Sequence, residues 1–528
     1  MKKKNITAAY KSHHKIGQDN IKILGLDAHN PVFFSCAGLT LLFVALTLLF
    51  PEAMDSNIFE AKQFTLHNFD WLLSFTLVVE LIVIVGIALS PLGNIRLGGQ
   101  DCKPDFGLAS WVAMLFAAGV GSGYMFYGAA EPLSYYTNAS GIPLDAIPET
   151  DAAKRLALSA SIAHWGILGW AVYTMMGLSF AFFNYNKGLP LSIRSAFYPL
   201  LGERIWGWPG HVIDIFSVVA TIFGTSTTLG LGATQVSGGL SYLFGVSASI
   251  YIQLLFILVI SAIAIFSVVR GIDGGIKLLS NINIAMGFFL LIFVIIAGPT
   301  IAIFSGFGVN IKNYLLDLPR LTNWIGREDK DFFFGWTIFY WAWWIAWAPF
   351  IGMFIARISK GRTIREFNLV ALSAPLIIGV IWFTAFGETA IQQYNNKLGD
   401  IADGAGNLSL ILFYMLDNLP FATLTSILSL LLILIFITTS IDSGALVIDS
   451  ITAGGKTNTP TAQKVFWVLM LGVTASVLLY IGGNKALGTL QAGTIVAALP
   501  FSVILLVGSF SLILGLVNEH RWLKSQKE

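Results

Sequence analysis

The sequence predicts an all-α polytopic membrane protein, and three observations carry that reading. Of 528 residues, 55% are hydrophobic and only 11% charged, with a mean hydropathy of +0.75. A soluble globular domain carries about 25% charged residues. Apolar stretches recur from one end to the other, and about 20 such residues suffice to cross a bilayer as a helix. Soluble and fibrous classes are excluded by composition alone.

The opening polar stretch, 1–30, is too long and too polar for a cleaved signal peptide. Its lysines Lys2, Lys3 and Lys4 stand far from the apolar run that begins at Pro31. Twelve spans are predicted, near 31–50, 70–91, 107–130, 156–184, 211–240, 248–268, 281–304, 333–357, 367–387, 420–447, 463–481 and 493–517. Spans four, five and ten are longer than a bilayer requires and are expected to tilt or project beyond it. The segment 309–325, "VNIKNYLLDLPRLTNWI", mixes apolar and charged residues. It is expected to lie on the membrane surface as an amphipathic helix.

Charge orients the chain. Lys2, Lys3, Lys4, Lys11, Lys15 and Lys22 crowd the N-terminal tail, and "ARISKGRTIRE", Ala356 to Glu366, is the densest basic loop. Basic loops favour the cytoplasm, so both termini of a twelve-span chain are expected there. Cys36 lies in an apolar span and Cys102 in a loop, which gives neither a disulfide framework nor a metal cluster. A net charge of +2 offers no reason to expect a nucleic-acid partner. No nucleophile–His–acid arrangement or metal-ligand spacing is present, so no enzyme, cofactor or bound metal is expected.

Two spans depart from a plain membrane helix. Span three contains "AAGVGSGYMFYGAAEP", with Gly119, Gly121 and Gly123 alternating and Ser122 between them. Gly119 and Gly123 form a GxxxG pair that could serve close helix packing alone. A third glycine exceeds that need, and unwound backbone is tolerated at membrane depth only beside a cavity. Span eight contains "FYWAWWIAWAPF". Tyr340, Trp343, Trp344 and Trp347 fall within an arc of about 100° at helical spacing. An interfacial aromatic belt needs one or two such residues per span end, not four on one face. Span four adds "HWGILGWAVY", with Trp165, Trp170 and Tyr173 on one half of its helix. Together the two spans can build an aromatic cage. A quaternary ammonium donates no ordinary hydrogen bond but is drawn to ring faces, so such a cation is the expected cargo.

These residues carry a resemblance. "GWTIFYWAWWIAWAPFIGMFIARISKGRTIREF" looks like the span-eight signature of the betaine/choline/carnitine transporter family. "FAAGVGSGYMFYGAAEP", "FGTSTTLGLGATQV" and "FITTSIDSGA" resemble its motifs in spans three, five and ten, and the likeness runs along essentially the whole chain. It implies a LeuT-type fold in a bacterial inner membrane. The N-terminal tail 1–30 would lead into two peripheral helices, 31–106. A first five-helix repeat, 107–304, an amphipathic linker, 305–332, and an inverted second repeat, 333–517, would follow, then a short tail, 518–528. A homotrimer is implied as well.

The resemblance also implies roles. Trp165, Trp170, Tyr173 and Trp344 match the cage. Trp343 and Trp347 match tryptophans along the substrate path, and the backbone of Gly119, Gly121, Ser122 and Gly123 would face the substrate carboxylate. One sodium would be held by Thr439, Ser440 and carbonyls of Phe436, Ala117 and Val120. A second would lie by Thr221 and Thr225, near Phe350. A hydroxyl in a membrane helix more often bonds back to its own helix, a competing reading for each of these residues. Sodium-independent members of the family this chain resembles tend to carry a fixed cationic or thioether side chain in place of the first ion, and proton-coupled choline carriers an Asp in the glycine stretch. This chain has neither and keeps Gly123, so the resemblance implies sodium-coupled glycine betaine uptake. Ala346 and Ser122 depart from the family pattern. Proton-coupled choline uptake and carnitine-type exchange are the alternatives, and a sensor or channel is the alternative of another class. Glu80, mid-span, is expected to be functional or to sit at a subunit contact. Asp442 is expected to orient the hydroxyl pair, Glu131 to lie near the outer end of span three, and His164 to be packed and hydrogen-bonded.

Overall fold

The computed structural model describes residues 9–119, 121–138, 146–270, 275–404 and 406–526. In a bilayer each backbone N–H and C=O must be satisfied within its own segment, so the apolar stretches fold as helices. In chain order the principal ones are α1 (Val32–Leu49), α2 (Pro51–Leu89), α3 (Leu108–Gly119), α4 (Ser122–Thr137), α5 (Asp151–His164), α6 (Ile167–Ala181), α7 (Trp208–Phe244) and α8 (Ile250–Arg270). They continue with α9 (Gly275–Ala297), α10 (Thr300–Thr322), α11 (Ile338–Ile358), α12 (Ile364–Asn395), α13 (Ala422–Thr452), α14 (Thr461–Gly482) and α15 (Ala486–Ser525). Among the described residues, ten helical segments are long and apolar enough to cross a membrane, α5 and α6 counting as one. The number rises to eleven if a pair bent by 111°, within α9 and α10, is taken as one span. The chain is an all-α polytopic membrane protein.

Two interruptions are built from glycine. α3 ends at Gly119 and α4 begins at Ser122, with Gly121 extended between them (φ −142°, ψ −175°). Val120 lies outside the described residues. The second interruption falls within span four, which the sequence reading treats as one helix. α5 stops at His164, Gly166 leaves helical geometry (φ −94°, ψ −148°), and α6 resumes at Ile167. The hydroxyl of Tyr314, from α10, accepts the freed Ile167 N–H at 3.3 Å. The amphipathic helix begins at Thr300, because Gly298 and Pro299 turn the chain sharply after α9.

Burial separates centre from periphery. In the apolar window of Asp151–Asn186, 94% of residues are buried, and in that of Lys330–Ile358, 89%; α1 and α2 reach only 39% and 44%. A helix apolar all round belongs in the core. α6 and α11 approach backbone to backbone: a Cβ on Gly177 would stand 3.2 Å from the Gly352 carbonyl oxygen. Glu80 on α2 is fully buried within the chain, so it is not at a subunit contact. Its two carboxylate oxygens accept from the Ser509 hydroxyl of α15 at 2.6 and 2.7 Å.

Ahead of α1 the chain forms an antiparallel hairpin, β1 (Asn20–Ile23) with β2 (Leu26–His29). It is pinned by an Asp27–Lys456 ion pair of 2.6 Å and by Asn20 donating to the Ala453 carbonyl.

Candidate functional site

The four cage residues meet. The Trp344 ring of α11 lies 5.8 Å from Trp165, 5.9 Å from Trp170 and 4.8 Å from Tyr173, centroid to centroid. Trp170 and Tyr173 are 5.4 Å apart and nearly perpendicular. All four are buried. The local sequence explains the fit. Trp165 sits on the break between α5 and α6, which lets its ring turn toward α4, where it covers Gly123. A Cβ there would stand 2.2 Å from Trp165 Cη2. Trp344 covers Gly169 in the same way, 2.3 Å from where a Cβ would be. The two glycines make room for the two indoles.

Two of the three cage indoles commit their N–H groups, while that of Trp170 is buried without a partner among the described residues. Trp165 Nε1 donates to Glu131 at 2.9 Å, and Trp344 Nε1 donates to the His164 carbonyl at 2.8 Å. Glu131, six residues before the end of α4, is fully buried, which the sequence reading did not anticipate. Beyond Trp165 it accepts from Tyr340 at 2.6 Å and Tyr135 at 2.9 Å, and its Oε1 lies 2.8 Å from His164 Nδ1. Residues on α4, α5 and α11 converge on it, because a buried carboxylate is tolerated only when its lone pairs are satisfied. His164 is packed and hydrogen-bonded, with Nε2 3.0 Å from Thr337 Oγ1 and its ring stacked on Tyr340 at 4.7 Å. The motif "GAAEP" held the signal for Glu131, a carboxylate within an apolar span.

From the cage a row of rings runs down α11. Trp343 is 6.3 Å from Trp347, and Trp347 is 5.2 Å from Phe350. Trp343 Nε1 donates to Thr228 of α7 at 3.2 Å, while Trp347 and the buried Ala346 lie against Gly224 of the same helix. At the interruption of span three, Ser122 opens α4 and is buried beside Gly123. The first N–H groups of a helix have no partner within it and favour negative charge.

The expected ion ligands are arranged differently. Thr439 Oγ1 donates to the carbonyls of Ile435 and Phe436, both at 3.0 Å, and Ser440 Oγ donates to Phe436 at 2.8 Å. Thr221 bonds back to Ser217 at 2.8 Å. Thr225 differs: its hydroxyl is buried without a partner among the described residues, beside Gly444 of α13. Ala117 and Gly119 belong to the last turn of α3. Asp442 accepts from Ser267 of α8 at 2.8 Å, so it is held by another helix rather than by the hydroxyl pair it follows. Among the described residues no group of three His, Cys, Asp or Glu is placed to hold a metal.

Four buried rings meeting at the centre of a many-span helical protein form a cluster whose chemistry suits a small onium solute. Residues 31–521 match the family described as BCCT, betaine/carnitine/choline family transporter, and the chain belongs to that family. It is therefore a secondary transporter of a betaine-like osmolyte in the bacterial inner membrane, not an enzyme. The chain is 48% identical to glycine betaine transporter 1 of Vibrio parahaemolyticus over 96% of its length and 97% of the relative's. It is 46% identical to a glycine betaine/proline/choline/ectoine transporter of the same organism, over 96% of this chain and 90% of that one. A solved Na+-coupled sialic acid symporter superposes at a TM-score of 0.44 with 15% identity, covering 85% of this chain and 97% of that chain. That likeness is too loose to bear on architecture.

Proposed function

We propose that this chain imports glycine betaine by sodium symport, with alternating access around the cage. The observation that carries the substrate reading is the convergence of Trp165, Trp170, Tyr173 and Trp344 on one buried point. Ring faces attract a trimethylammonium by about 2 kcal/mol or more when it is desolvated. The carboxylate end would face the opening of α4 at Gly121, Ser122 and Gly123, where unpaired N–H groups favour an anion. A relative named for glycine betaine supports this choice, and another whose name adds proline, choline and ectoine makes a broader range the second reading.

In this proposal the interrupted α3–α4 counts as one span and α9 as another, giving twelve spans. Two peripheral helices precede two inverted five-helix repeats, with both termini cytoplasmic, and three copies of the chain assemble. Sodium would be held by Thr439, Ser440 and the carbonyls of Phe436, Ala117 and Val120, and a second ion by Thr221 and Thr225 near Phe350. The unpartnered Thr225 hydroxyl supports the second position. The hydroxyls of Thr439 and Ser440 spend their protons on their own helix but keep lone pairs for a cation. The test is uptake of radiolabelled betaine into proteoliposomes with an inward sodium gradient, with a proton gradient, and with neither. Uptake that requires sodium supports the proposal. Uptake driven by protons, or exchange without either gradient, overturns the coupling.

A further inference from the structure

Glu131 has more hydrogen-bond partners than a carboxylate that merely pins two helices together would need. It is fully buried and contacts Tyr135, His164, Trp165 and Tyr340, all within 2.9 Å. None of these is a lysine or arginine. His164, whose Nδ1 meets the carboxylate, has its other ring nitrogen 3.0 Å from Thr337 Oγ1. Both cage tryptophans are tied to this cluster, Trp165 through Glu131 and Trp344 through the His164 carbonyl. An indole that donates its N–H to an ionised acceptor is polarised toward greater electron density over its ring, and linked hydrogen bonds strengthen one another in a low-dielectric interior. The ring face attracts a cation electrostatically, so that polarisation adds to the attraction.

We propose that Glu131 is a positioning residue for cation recognition. Through the Trp165 indole it orients and charges one wall of the cage, and thereby biases the site toward ligands of net positive charge. The proposal rests on the cage reading above. Its consequence differs between two ligands with the same trimethylammonium group. Choline carries a net charge of +1. Betaine carries a carboxylate that a negative residue repels, which offsets part of the gain.

The experiment measures equilibrium binding of choline and of betaine to the purified full-length protein, wild type and Glu131→Gln. Tetramethylammonium replaces choline if choline binds too weakly to titrate. The glutamine keeps the side-chain shape and removes the charge. The ratio of cation affinity to betaine affinity is expected to fall roughly fivefold to tenfold, the scale of one buried charge acting across an indole. If both affinities fall by the same factor, or the ratio is unchanged, the cluster only holds the helices and the proposal is overturned. Should Glu131→Gln fail to fold, Trp165→Phe serves instead, because it keeps a ring and deletes the N–H. The ratio must move in the same direction, and an unchanged ratio again overturns the proposal. A wild type that binds betaine but neither cation overturns it as well. A wild type that binds none of the three defeats the cage reading itself.

Discussion

The cage and the hydroxyl-bearing turn of α13 satisfy their polar groups in opposite ways. Trp165 and Trp344 of the cage, and Trp343 beside it, each give their N–H to a group on another helix: Glu131, the His164 carbonyl and Thr228 in turn. The Trp170 N–H alone of the cage indoles has no partner among the described residues. On α13, Thr438, Thr439 and Ser440 each bond back to carbonyls three or four residues earlier. Cross-helix bonds fix a site before its ligand arrives, which lowers the ordering cost of binding. Back-bonds leave a hydroxyl free of tertiary partners, so its oxygen can turn toward an arriving cation without breaking the packing. The proposed substrate site is therefore held by tertiary structure, whereas the proposed ion site would depend on local rearrangement. Substitutions in the cage should cost both stability and binding. Those on α13 should cost coupling and little stability.

The largest expected effect lies at the shared wall. Trp344→Ala removes a buried ring that touches three others, and Trp165→Ala removes one that also satisfies Glu131. A buried Trp→Ala change costs about 3–5 kcal/mol. The lost cation attraction, about 2 kcal/mol, weakens ligand binding roughly thirtyfold. Thermal unfolding in detergent and betaine titration measure the two separately. Unchanged affinity in both variants would remove the cage from the mechanism and end the contrast.

Gly123→Ala should have an intermediate effect. The added methyl would stand 2.2 Å from Trp165 Cη2, so the indole must move. Overpacking of this kind costs about 1–3 kcal/mol, and it shifts the ring without deleting it. Betaine affinity should fall while sodium dependence of uptake is retained. A variant with wild-type affinity would show that the Trp165 position is not constrained from α4.

What the sequence made legible follows the same division. Cage residues are rare and bulky, and helical spacing alone puts Tyr340, Trp343, Trp344 and Trp347 on one face. Alternating glycines marked the interruption before Ser122, since each glycine costs about 1 kcal/mol relative to alanine in a helix interior. The interruption at Gly166 was not legible, because a single glycine in an apolar run is ordinary. Its stabilising partner, Tyr314, comes from a helix 147 residues away in sequence. Glu131 was visible as a charge, but its burial depends on Tyr340, 209 residues along the chain, and no spacing rule reaches that far. Ion ligation was the least legible. The proposed sites draw on carbonyls, which every residue has, and only the hydroxyls of Thr439, Ser440, Thr221 and Thr225 leave a mark in the sequence.

The smallest effect on stability is expected on α13, and it tests the contrast from the other side. Thr439→Ala with Ser440→Ala deletes two hydroxyls bonded to their own helix and one threonine methyl, on residues that are only partly buried. Such bonds slightly destabilise and bend helices, and alanine is the better helix former. The unfolding temperature should therefore change by no more than a few degrees, in either direction. If these oxygens ligate sodium, the variant should nonetheless lose sodium-driven betaine uptake, while equilibrium betaine binding without sodium stays close to wild type. Uptake into proteoliposomes over a series of sodium concentrations separates the outcomes. Normal sodium dependence in the double variant defeats the assignment of these hydroxyls. A large loss of stability would instead show that their back-bonds are structural, and the division between a tertiary-held cage and a locally satisfied ion site would fail.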